Sequence, residues 1–167
     1  REIVKIARNK NCVIAVNYIL RFEPGVRQLK KMIEQDEFGR IYKGCVWYSK
    51  GIINNGSHYV DLLSCIFGNV GNIKILEKGR KWDARDPEPD VSMRFGNVDI
   101  IFLAGKEEYF EISELELIGT KGRIQIHQGG LSISYQKVIN DPIFSGYSIL
   151  NSKKSEIATD IMRYQFN

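Results

Sequence analysis

The chain has 167 residues, of which 43% are hydrophobic and 26% charged, a composition typical of one globular domain rather than a disordered, collagenous or coiled-coil chain. Its 24 basic and 20 acidic residues leave a net charge of +4, and the two signs are interleaved, which argues against a nucleic-acid-binding surface. No apolar run is longer than Ile100–Ala104, which is far shorter than the ~20 residues of a membrane-spanning helix.

Three cysteines, Cys12, Cys45 and Cys65, have the spacing of neither a zinc site nor a redox pair, so no metal is expected. We expect each to be a small buried hydrophobic side chain. A reduced, cytoplasmic protein is the simplest interpretation of an odd number of unpaired cysteines.

The first 40 residues predict two helices separated by a short strand. Apolar residues at positions 3, 4, 6 and 7 have the spacing of the buried side of a helix, and because that helix is under way at Arg1 we expect a further segment before it. The run Cys12–Val16 predicts a buried strand. Pro24 fits the first turn of a helix that ends near Gly39 and has an apolar side. That side comprises Val26, Leu29, Met32 and Ile33.

The middle of the chain predicts a strand and then a helix. Aromatic and β-branched residues over Ile41–Lys50 predict the strand, with Trp47 and Tyr48 on opposite faces of a sheet. The helix is expected to begin near Asn55–Ser57 and to end at Gly68, a residue type that favours the left-handed conformation after a helix.

The rest of the chain predicts mostly strands. Gly96-Asn97 is a two-residue turn signal between Asp90–Phe95 and Val98–Leu103, which predicts a hairpin. A second hairpin is expected around residues 119–122, between Tyr109–Ile118 and Arg123–His127, and a further strand covers 131–138. Residues 82–90 and 140–144 are predicted surface loops, and 155–167 a final helix cut by the end of the chain. Strands so near in sequence pair antiparallel, which indicates an α+β fold.

A polar turn that contains candidate catalytic residues leads into the middle helix. In the sequence Asn54-Asn55-Gly56-Ser57-His58-Tyr59-Val60-Asp61, His58 and Asp61 fall three residues apart on one face of the first helical turn. The partial positive charge of a helix N-terminus favours a neutral imidazole that can accept a proton. From spacing alone, a structural role for both residues remains the alternative.

Three blocks in order resemble one family. The segment AVNYILRFEPGVRQLKKMI followed by FGRI, then NNGSHYVDLLSCIFG, then LELIGTKGRIQI resemble the C-terminal part of the glucose-fructose oxidoreductase, inositol dehydrogenase and rhizopine-catabolism (Gfo/Idh/MocA) family. The second block resembles that family's D-x-G-x-H-x-x-D motif. An unrelated β-sheet binding domain would require all three matches to be accidental.

The resemblance implies a two-domain oxidoreductase in which a Rossmann domain binds NAD or NADP and an α+β domain follows. Residues 1–167 would form that second domain, an open, predominantly antiparallel sheet with helices packed on one face, and 1–20 would be a remnant of the end of the nucleotide-binding domain. No GxGxxG or GxxxxGK[ST] occurs in the chain, so we expect no nucleotide to bind to it alone. The sheet's other face is expected to make a homo-oligomer, most simply a dimer.

The resemblance also implies roles for particular residues. His58 matches the family's catalytic histidine, which takes a hydroxyl proton while the hydride leaves the same carbon of a sugar or sugar-nucleotide alcohol. Asp61 matches an acidic position suited to a substrate hydroxyl, and Arg21 resembles a position that faces the site. Three further residues are candidates for the pocket wall: Tyr18, Tyr48 and Lys50.

One position departs from the family pattern. Asn54 stands where the motif commonly has a catalytic aspartate, and an amide can orient a substrate but cannot accept its proton. Two hypotheses therefore stay open: an NAD(P)-dependent oxidoreductase acting by hydride transfer, with Asn54 and His58 in its site, or a non-catalytic relative whose β domain serves oligomerisation or ligand sensing.

Overall fold

The structure is a computed structural model and describes residues 2–160. Its three α-helices are α1 (Glu2–Asn9), α2 (Pro24–Glu34) and α3 (Ser57–Phe67). The strands are β1 (Ile41–Tyr48), β2 (Val70–Lys81), β3 (Pro87–Phe95), β4 (Val98–Ala104), β5 (Ser113–Gly119), β6 (Gly122–His127), β7 (Ser132–Asn140), β8 (Ser148–Leu150) and β9 (Ser155–Ile157). No helix within these residues is long and apolar enough to cross a membrane.

The strands form one open sheet in the order β2-β3-β4-β1-β5-β6-β7-β8, and β9 also pairs with β7. Strands β1 and β4 run parallel, with Lys43 opposite Asp99 and Tyr48 opposite Ala104, whereas the other described pairs are antiparallel. The predicted α+β class with a predominantly antiparallel sheet is confirmed. The parallel pair places β1 at the centre, between two antiparallel groups of strands.

The core lies between α2, α3 and one face of the sheet. Leu29 of α2 and Leu62 and Leu63 of α3 have no exposed surface, because the helical spacing of apolar residues places them on one side of each helix. The sheet contributes alternate residues to the same core: Val46, Tyr48, Ile100, Phe102, Leu115, Leu117, Ile124 and Ile126. The predicted opposition of Trp47 and Tyr48 is confirmed, since Trp47 is 43% exposed and Tyr48 fully buried.

The opposite face of the sheet carries apolar and charged side chains together. Trp47 and Ile101 are exposed there, and Trp47 lies opposite Glu114 of β5 in the strand register. The exposed apolar residues Trp47 and Ile101 thus come from β1 and β4, while in β5 Glu114 and Glu116 alternate with the buried leucines.

Several sequence predictions are confirmed at one end of the element concerned, although α2 ends at Glu34 and not near Gly39, and β5 begins at Ser113 and not at Tyr109. Helix α2 begins at Pro24, whose missing N–H costs nothing there, and α3 ends before Gly68, which has a φ of +98°. The hairpin at Gly96-Asn97 forms between β3 and β4, and Gly96 has a φ of +55° as such tight turns require. The second hairpin, β5–β6, is also present.

Other predictions are wrong, and each error has a physical reason. Residues 12–16 form no strand and are exposed, because no neighbouring strand pairs with this apolar run. The predicted loop at 82–90 is in part strand β3, which begins at Pro87. Strand β2 was not predicted, since as an edge strand it is exposed along most of its length and lacks a buried alternating pattern.

The N- and C-terminal predictions also change. A helix does form at Glu2–Asn9, but Ile3, Val4 and Ile6 are 71%, 46% and 55% exposed. Residues 155–157 form strand β9 instead of the start of a helix, while 161–167 lie outside the described residues. The cysteines are all free, with Cys12 exposed and the other two partly buried, so the prediction of three buried thiols is wrong for Cys12.

Candidate functional site

The polar turn singled out in the sequence links β1 to α3. After β1 the chain turns through Lys50 and Gly51, whose φ angles of +64° and +84° are both left-handed. It then forms a π-helical turn, Gly51–Gly56, that leads directly into α3. Asn54 is exposed within this turn and His58 is half-buried at the second position of α3. Ser57 Oγ donates a hydrogen bond of 2.9 Å to the Asn54 carbonyl, which ties the two parts together.

The structure brings Tyr18 to His58. Their rings meet edge to face with centroids 5.3 Å apart, the arrangement that the opposite charges of ring edge and ring face favour. Tyr18 immediately precedes a 3₁₀ turn, Ile19–Phe22. One side of the imidazole is therefore covered by an aromatic ring from a segment 40 residues earlier in the chain.

Arg21 and Asp61 bind each other. Arg21 donates from Nε to Asp61 Oδ2 at 2.7 Å and from Nη2 to Asp61 Oδ1 at 2.5 Å, a bidentate ion pair of the strong kind. The side chain of Asp61 is only 15% exposed and that of Arg21 36%. This pair joins the Ile19–Phe22 turn to α3, so it also holds Tyr18 beside His58. These two of the five predicted substrate-binding residues are thus engaged with each other, and Asp61 lies one turn after His58 in α3.

Lys50 and Tyr48 occupy different places. Lys50 Nζ donates to Glu111 Oε2 at 3.0 Å near the surface. Tyr48 has no exposed surface, and its hydroxyl donates to the Pro89 carbonyl at 2.6 Å. Tyr48 belongs to the core between the sheet and the helices. The prediction that it lines an accessible pocket is therefore corrected, because its side chain does not reach the solvent.

Two buried tyrosines are held in their neutral form. Burial raises the pKa of Tyr48, and the nearby carboxylates of Glu88, Asp90 and Asp86 raise it further. Burial likewise raises the pKa of Tyr59, against a smaller opposing effect of its hydrogen bond with Ser113. Both phenols therefore act here as hydrogen-bonding groups and not as bases.

Sequence reasoning missed the acidic residues that contact the turn. Asp86 and Glu88 are 6% and 2% exposed, although they fall in a run interpreted as a surface loop. Asp86 accepts hydrogen bonds from the backbone N–H groups of Ile53 and Asn54, and Glu88 accepts one from Gly51. A signal was present: acids alternate with prolines in Asp86-Pro87-Glu88-Pro89-Asp90, and an extended segment places alternate side chains on one face.

Two clefts of the described structure lie apart from His58. One, of about 420 Å³, is lined by residues of β2, β3 and the end of β4, including Arg80, Glu88 and Lys106. The other, of about 560 Å³, lies at the β5–β6 turn and includes Arg40 and Arg123. Neither includes Asn54 or His58. Within residues 2–160, no group of three or more His, Cys, Asp or Glu side chains is arranged to hold a metal ion.

No protein-family model and no curated protein sequence matches the chain. Solved structures do share its fold. KijD10, a 3-ketoreductase from Actinomadura kijaniata crystallised with TDP-benzene and NADP, superposes with a TM-score of 0.67 at 11% identity over 95% of this chain and 52% of its own.

Two further oxidoreductases show the same likeness. The WlbA dehydrogenase from Bordetella pertussis, crystallised with NADH and UDP-GlcNAcA, matches at 21% identity and a TM-score of 0.55, over 76% of this chain and 46% of its own. An oxidoreductase from Agrobacterium radiobacter, in complex with NAD+, L-tartaric acid and magnesium, matches at 14% identity and a TM-score of 0.59, over 98% and 51%. The TM-scores establish a shared fold, and the chain spans about half the length of the proteins it resembles.

Proposed function

We propose that this chain is the substrate-binding and oligomerisation domain of an NAD(P)-dependent oxidoreductase of the Gfo/Idh/MocA type, acting on a sugar or sugar-nucleotide alcohol or ketone. The observation that carries the proposal is the fold shared over 95% of the chain with an NADP-bound ketoreductase. The three sequence blocks that resemble this family add support. The second block contains His58, which lies at the start of α3.

The residues of this chain supply the proton chemistry in the proposed reaction. When an alcohol is oxidised, the His58 imidazole takes the hydroxyl proton as the C–H bond breaks, and the reverse step returns that proton to a ketone oxygen. A nicotinamide cofactor bound by the other domain would supply the hydride acceptor for the same carbon. Asn54 orients the reacting hydroxyl by hydrogen bonding, since its amide cannot take the proton. Tyr18 covers one side of the imidazole, and the Arg21–Asp61 pair ties the Tyr18 segment to α3. These residues border the substrate, and Lys50 lies at the start of the turn.

The described residues do not fit a dinucleotide on their own. The chain has no glycine-rich phosphate loop, and His58 lies outside both clefts described above. We therefore assign cofactor binding to a nucleotide-binding domain outside residues 1–167. The exposed Ile3, Ile6 and Phe22 fit this assignment, since apolar surface of this kind commonly marks a contact with another domain. Calorimetric titration of this chain with NAD or NADP should show no saturable binding tighter than ~100 μM.

The test of the proposed activity uses the full-length protein. Hydride transfer is followed by nicotinamide absorbance with a panel of UDP- and TDP-sugars and both cofactors. His58→Ala should lower kcat by about 10²- to 10⁴-fold, the usual range for a lost general base, if hydride transfer is rate-limiting. Asn54→Ala should cost at most about tenfold, the value of one neutral hydrogen bond. A decrease of less than about threefold for His58→Ala would assign the base to another group.

The other histidine of the chain is a matched control. His127 bonds to Glu114, which lies opposite the exposed Trp47 in the strand register. His127→Ala should leave kcat within about twofold, because it removes an imidazole without touching the proposed site. Equal losses for both histidine variants would point to a general structural effect.

A non-catalytic relative is the second candidate, and Asn54 is the observation that favours it. The side chain at this position is an amide where the family motif commonly has a carboxylate, and the residue's backbone N–H is already bound by Asp86. If the full-length protein binds a nicotinamide cofactor and a sugar ligand but transfers no hydride, and Asn54→Asp creates that activity, the non-catalytic interpretation is correct. If wild type is active, it is rejected.

Oligomerisation is proposed through the exposed face of the sheet. Trp47 and Ile101 lie on that face, 43% and 38% exposed, and two-fold symmetric assemblies commonly bury such surfaces. Light scattering of the full-length protein should give a mass above that of the monomer, and Trp47→Glu should lower it by placing a charge in the interface. A monomer at high micromolar concentration contradicts this part of the proposal.

A further inference from the structure

The turn before α3 presents two neighbouring backbone N–H groups to a single carboxylate. Ile53 N donates to Asp86 Oδ1 at 2.9 Å, and Asn54 N donates to Asp86 Oδ2 at 2.8 Å. Backbone donors at the start of a helix lack partners within it. Hydrogen bonds to an ionised carboxylate are roughly twice as strong as neutral ones. Asp86 thus satisfies both donors of the turn at once.

Asp86 is itself held firmly. Asp86 is only 6% exposed. The backbone N–H of Asp86 donates to Asp83 Oδ1 at 2.7 Å, and its carbonyl accepts from Trp82 N at 2.9 Å. A Cβ at Gly51 would lie 2.1 Å from Asp86 Oδ2, so the carboxylate reaches the turn only because residue 51 is glycine.

The neighbouring Glu88 has a different partner. Glu88 Oε2 accepts from Arg80 Nε at 2.7 Å while its Oε1 accepts from Gly51 N at 3.3 Å. Glu88 therefore belongs to an ion pair, whereas the ion pairs found among residues 2–160 include none with Asp86. The position of the turn consequently depends on Asp86 more directly than on Glu88.

We infer that Asp86 is a positioning residue, which fixes the Gly51–Gly56 turn and through it the placement of Asn54 and His58. The catalytic part of this inference rests on the proposed function. Asn54 is bound to Asp86 through its backbone, and Ser57 Oγ binds the Asn54 carbonyl one residue before His58. A displacement of about 1 Å in a catalytic group can cost about 10²-fold in rate, so loss of the Asp86 contact should be visible in kcat.

The experiment compares Asp86→Asn and Asp86→Ala in the full-length protein by hydrogen exchange of a peptide spanning residues 51–57 and by steady-state kinetics. Asn keeps the side-chain volume but turns an N–H₂ group toward one of the two donors. A matched control is Asp141→Ala, because Asp141 Oδ1 accepts from Ile143 N and Phe144 N at 2.7 and 3.0 Å in the β7–β8 loop. That variant removes the same kind of contact far from α3 in the sequence.

In Asp86→Ala, exchange at Ile53 and Asn54 should be at least about tenfold faster, with a smaller increase in Asp86→Asn. The kcat of both variants should fall by about 10- to 100-fold, while KM for the nicotinamide cofactor stays within about twofold. Asp141→Ala should change neither the exchange of residues 51–57 nor kcat. If Asp86→Ala does not fold, the isosteric Asp86→Asn supplies both measurements.

Each other outcome has a definite meaning. Unchanged exchange in residues 51–57 of a folded Asp86 variant overturns the positioning role. Faster exchange with an unchanged kcat overturns its catalytic consequence. If the unsubstituted protein transfers no hydride to or from any tested sugar nucleotide, the proposed function fails, while the exchange measurement still decides whether Asp86 fixes the turn.

Discussion

Helices α1 and α2 carry similar amphipathic patterns but differ in what lies against their apolar sides. In α2, Val26, Leu29 and Met32 are all buried against the core. In α1, Ala7 is the one residue that is buried, and Ile3 is 71% exposed. The same 3.6-residue periodicity thus predicts a helix in both places.

The difference shows what periodicity leaves open. An apolar side specifies that a helix needs a covering surface, but the pattern says nothing about which element provides it. For α2 the covering surface lies within this chain, as the core cluster shows. For α1 we have assigned it to another domain, and the predictions below test covered against uncovered positions.

The largest expected effect concerns the two helices themselves. Leu29→Ala, at a position with no exposed surface, should lower the free energy of unfolding by about 2–5 kcal/mol, through lost burial and the cavity left behind. Ile3→Ala should change it by less than about 0.5 kcal/mol, as for ordinary surface substitutions. Urea denaturation of this chain measures both. A cost above ~1 kcal/mol for Ile3→Ala would mean that α1 is covered without another domain.

The two buried tyrosines should make the free energy of unfolding fall at alkaline pH. The raised pKa values of Tyr48 and Tyr59 favour the neutral phenol in the folded state, so their contribution is complete below pH ~10 and is lost as the pH rises through the folded-state pKa. Between these limits the free energy of unfolding should fall by about 1.4 kcal/mol per pH unit for each tyrosine. Tyr48→Phe should remove about half of this slope in urea titrations at pH ~10–12. An unchanged slope contradicts the assignment.

The Arg21–Asp61 pair links the exposed first segment to the covered helix α3. Arg21→Ala leaves a carboxylate that is 15% exposed without its partner, which should cost about 1–2 kcal/mol after allowance for the partial exposure of Arg21. Lys121→Ala is the control, because Lys121 and Asp36 form an ion pair exposed on both sides and should contribute less than about 0.5 kcal/mol. Equal costs would show that the Arg21–Asp61 link does not hold the first segment.

The smallest effect compares two cysteines. Burial raises the pKa of the Cys45 thiol, and the nearby Glu116 carboxylate raises it further, whereas Cys12 is exposed. At pH 8 Cys45 should react with iodoacetamide roughly tenfold more slowly than Cys12, since the thiolate is the reactive form. Mass spectrometry of labelled peptides measures the two rates, and Glu116→Gln should accelerate the labelling of Cys45. Similar rates in the wild type would contradict this difference.

Local chemistry made much of the fold predictable. Pro24 at the start of α2, Gly68 after α3 and Gly96-Asn97 between β3 and β4 each act within a few residues, and the sequence displays such signals directly. The position of His58 at the start of α3 was predicted on the same basis. Contacts between distant residues were not predictable: Asp86 binds Asn54 across 32 residues, and β1 pairs with a strand more than 50 residues away.

Exposure explains the remaining errors. Cys12–Val16 has the apolar content of a strand, but a strand also needs a neighbour to pair with, and residues 12–16 have none in the described structure. Strand β2 has a neighbour, β3, yet both of its faces are largely exposed. Its sequence therefore shows neither the alternation of a half-buried strand nor the continuous apolar run of a buried one.

The parallel pairing of β1 with β4 has a consequence for the order in which the chain folds. The β3–β4 hairpin brings together residues such as Arg94 and Asp99, five apart in the chain, whereas Lys43 meets Asp99 across 56 residues. The entropy lost in closing a loop grows with its length, and folding slows as contacts become less local. The β3–β4 and β5–β6 hairpins should therefore form early, and insertion of β1 between them should limit the folding rate. Substitutions at Val46, buried at the centre of β1, would then slow folding more than they speed unfolding.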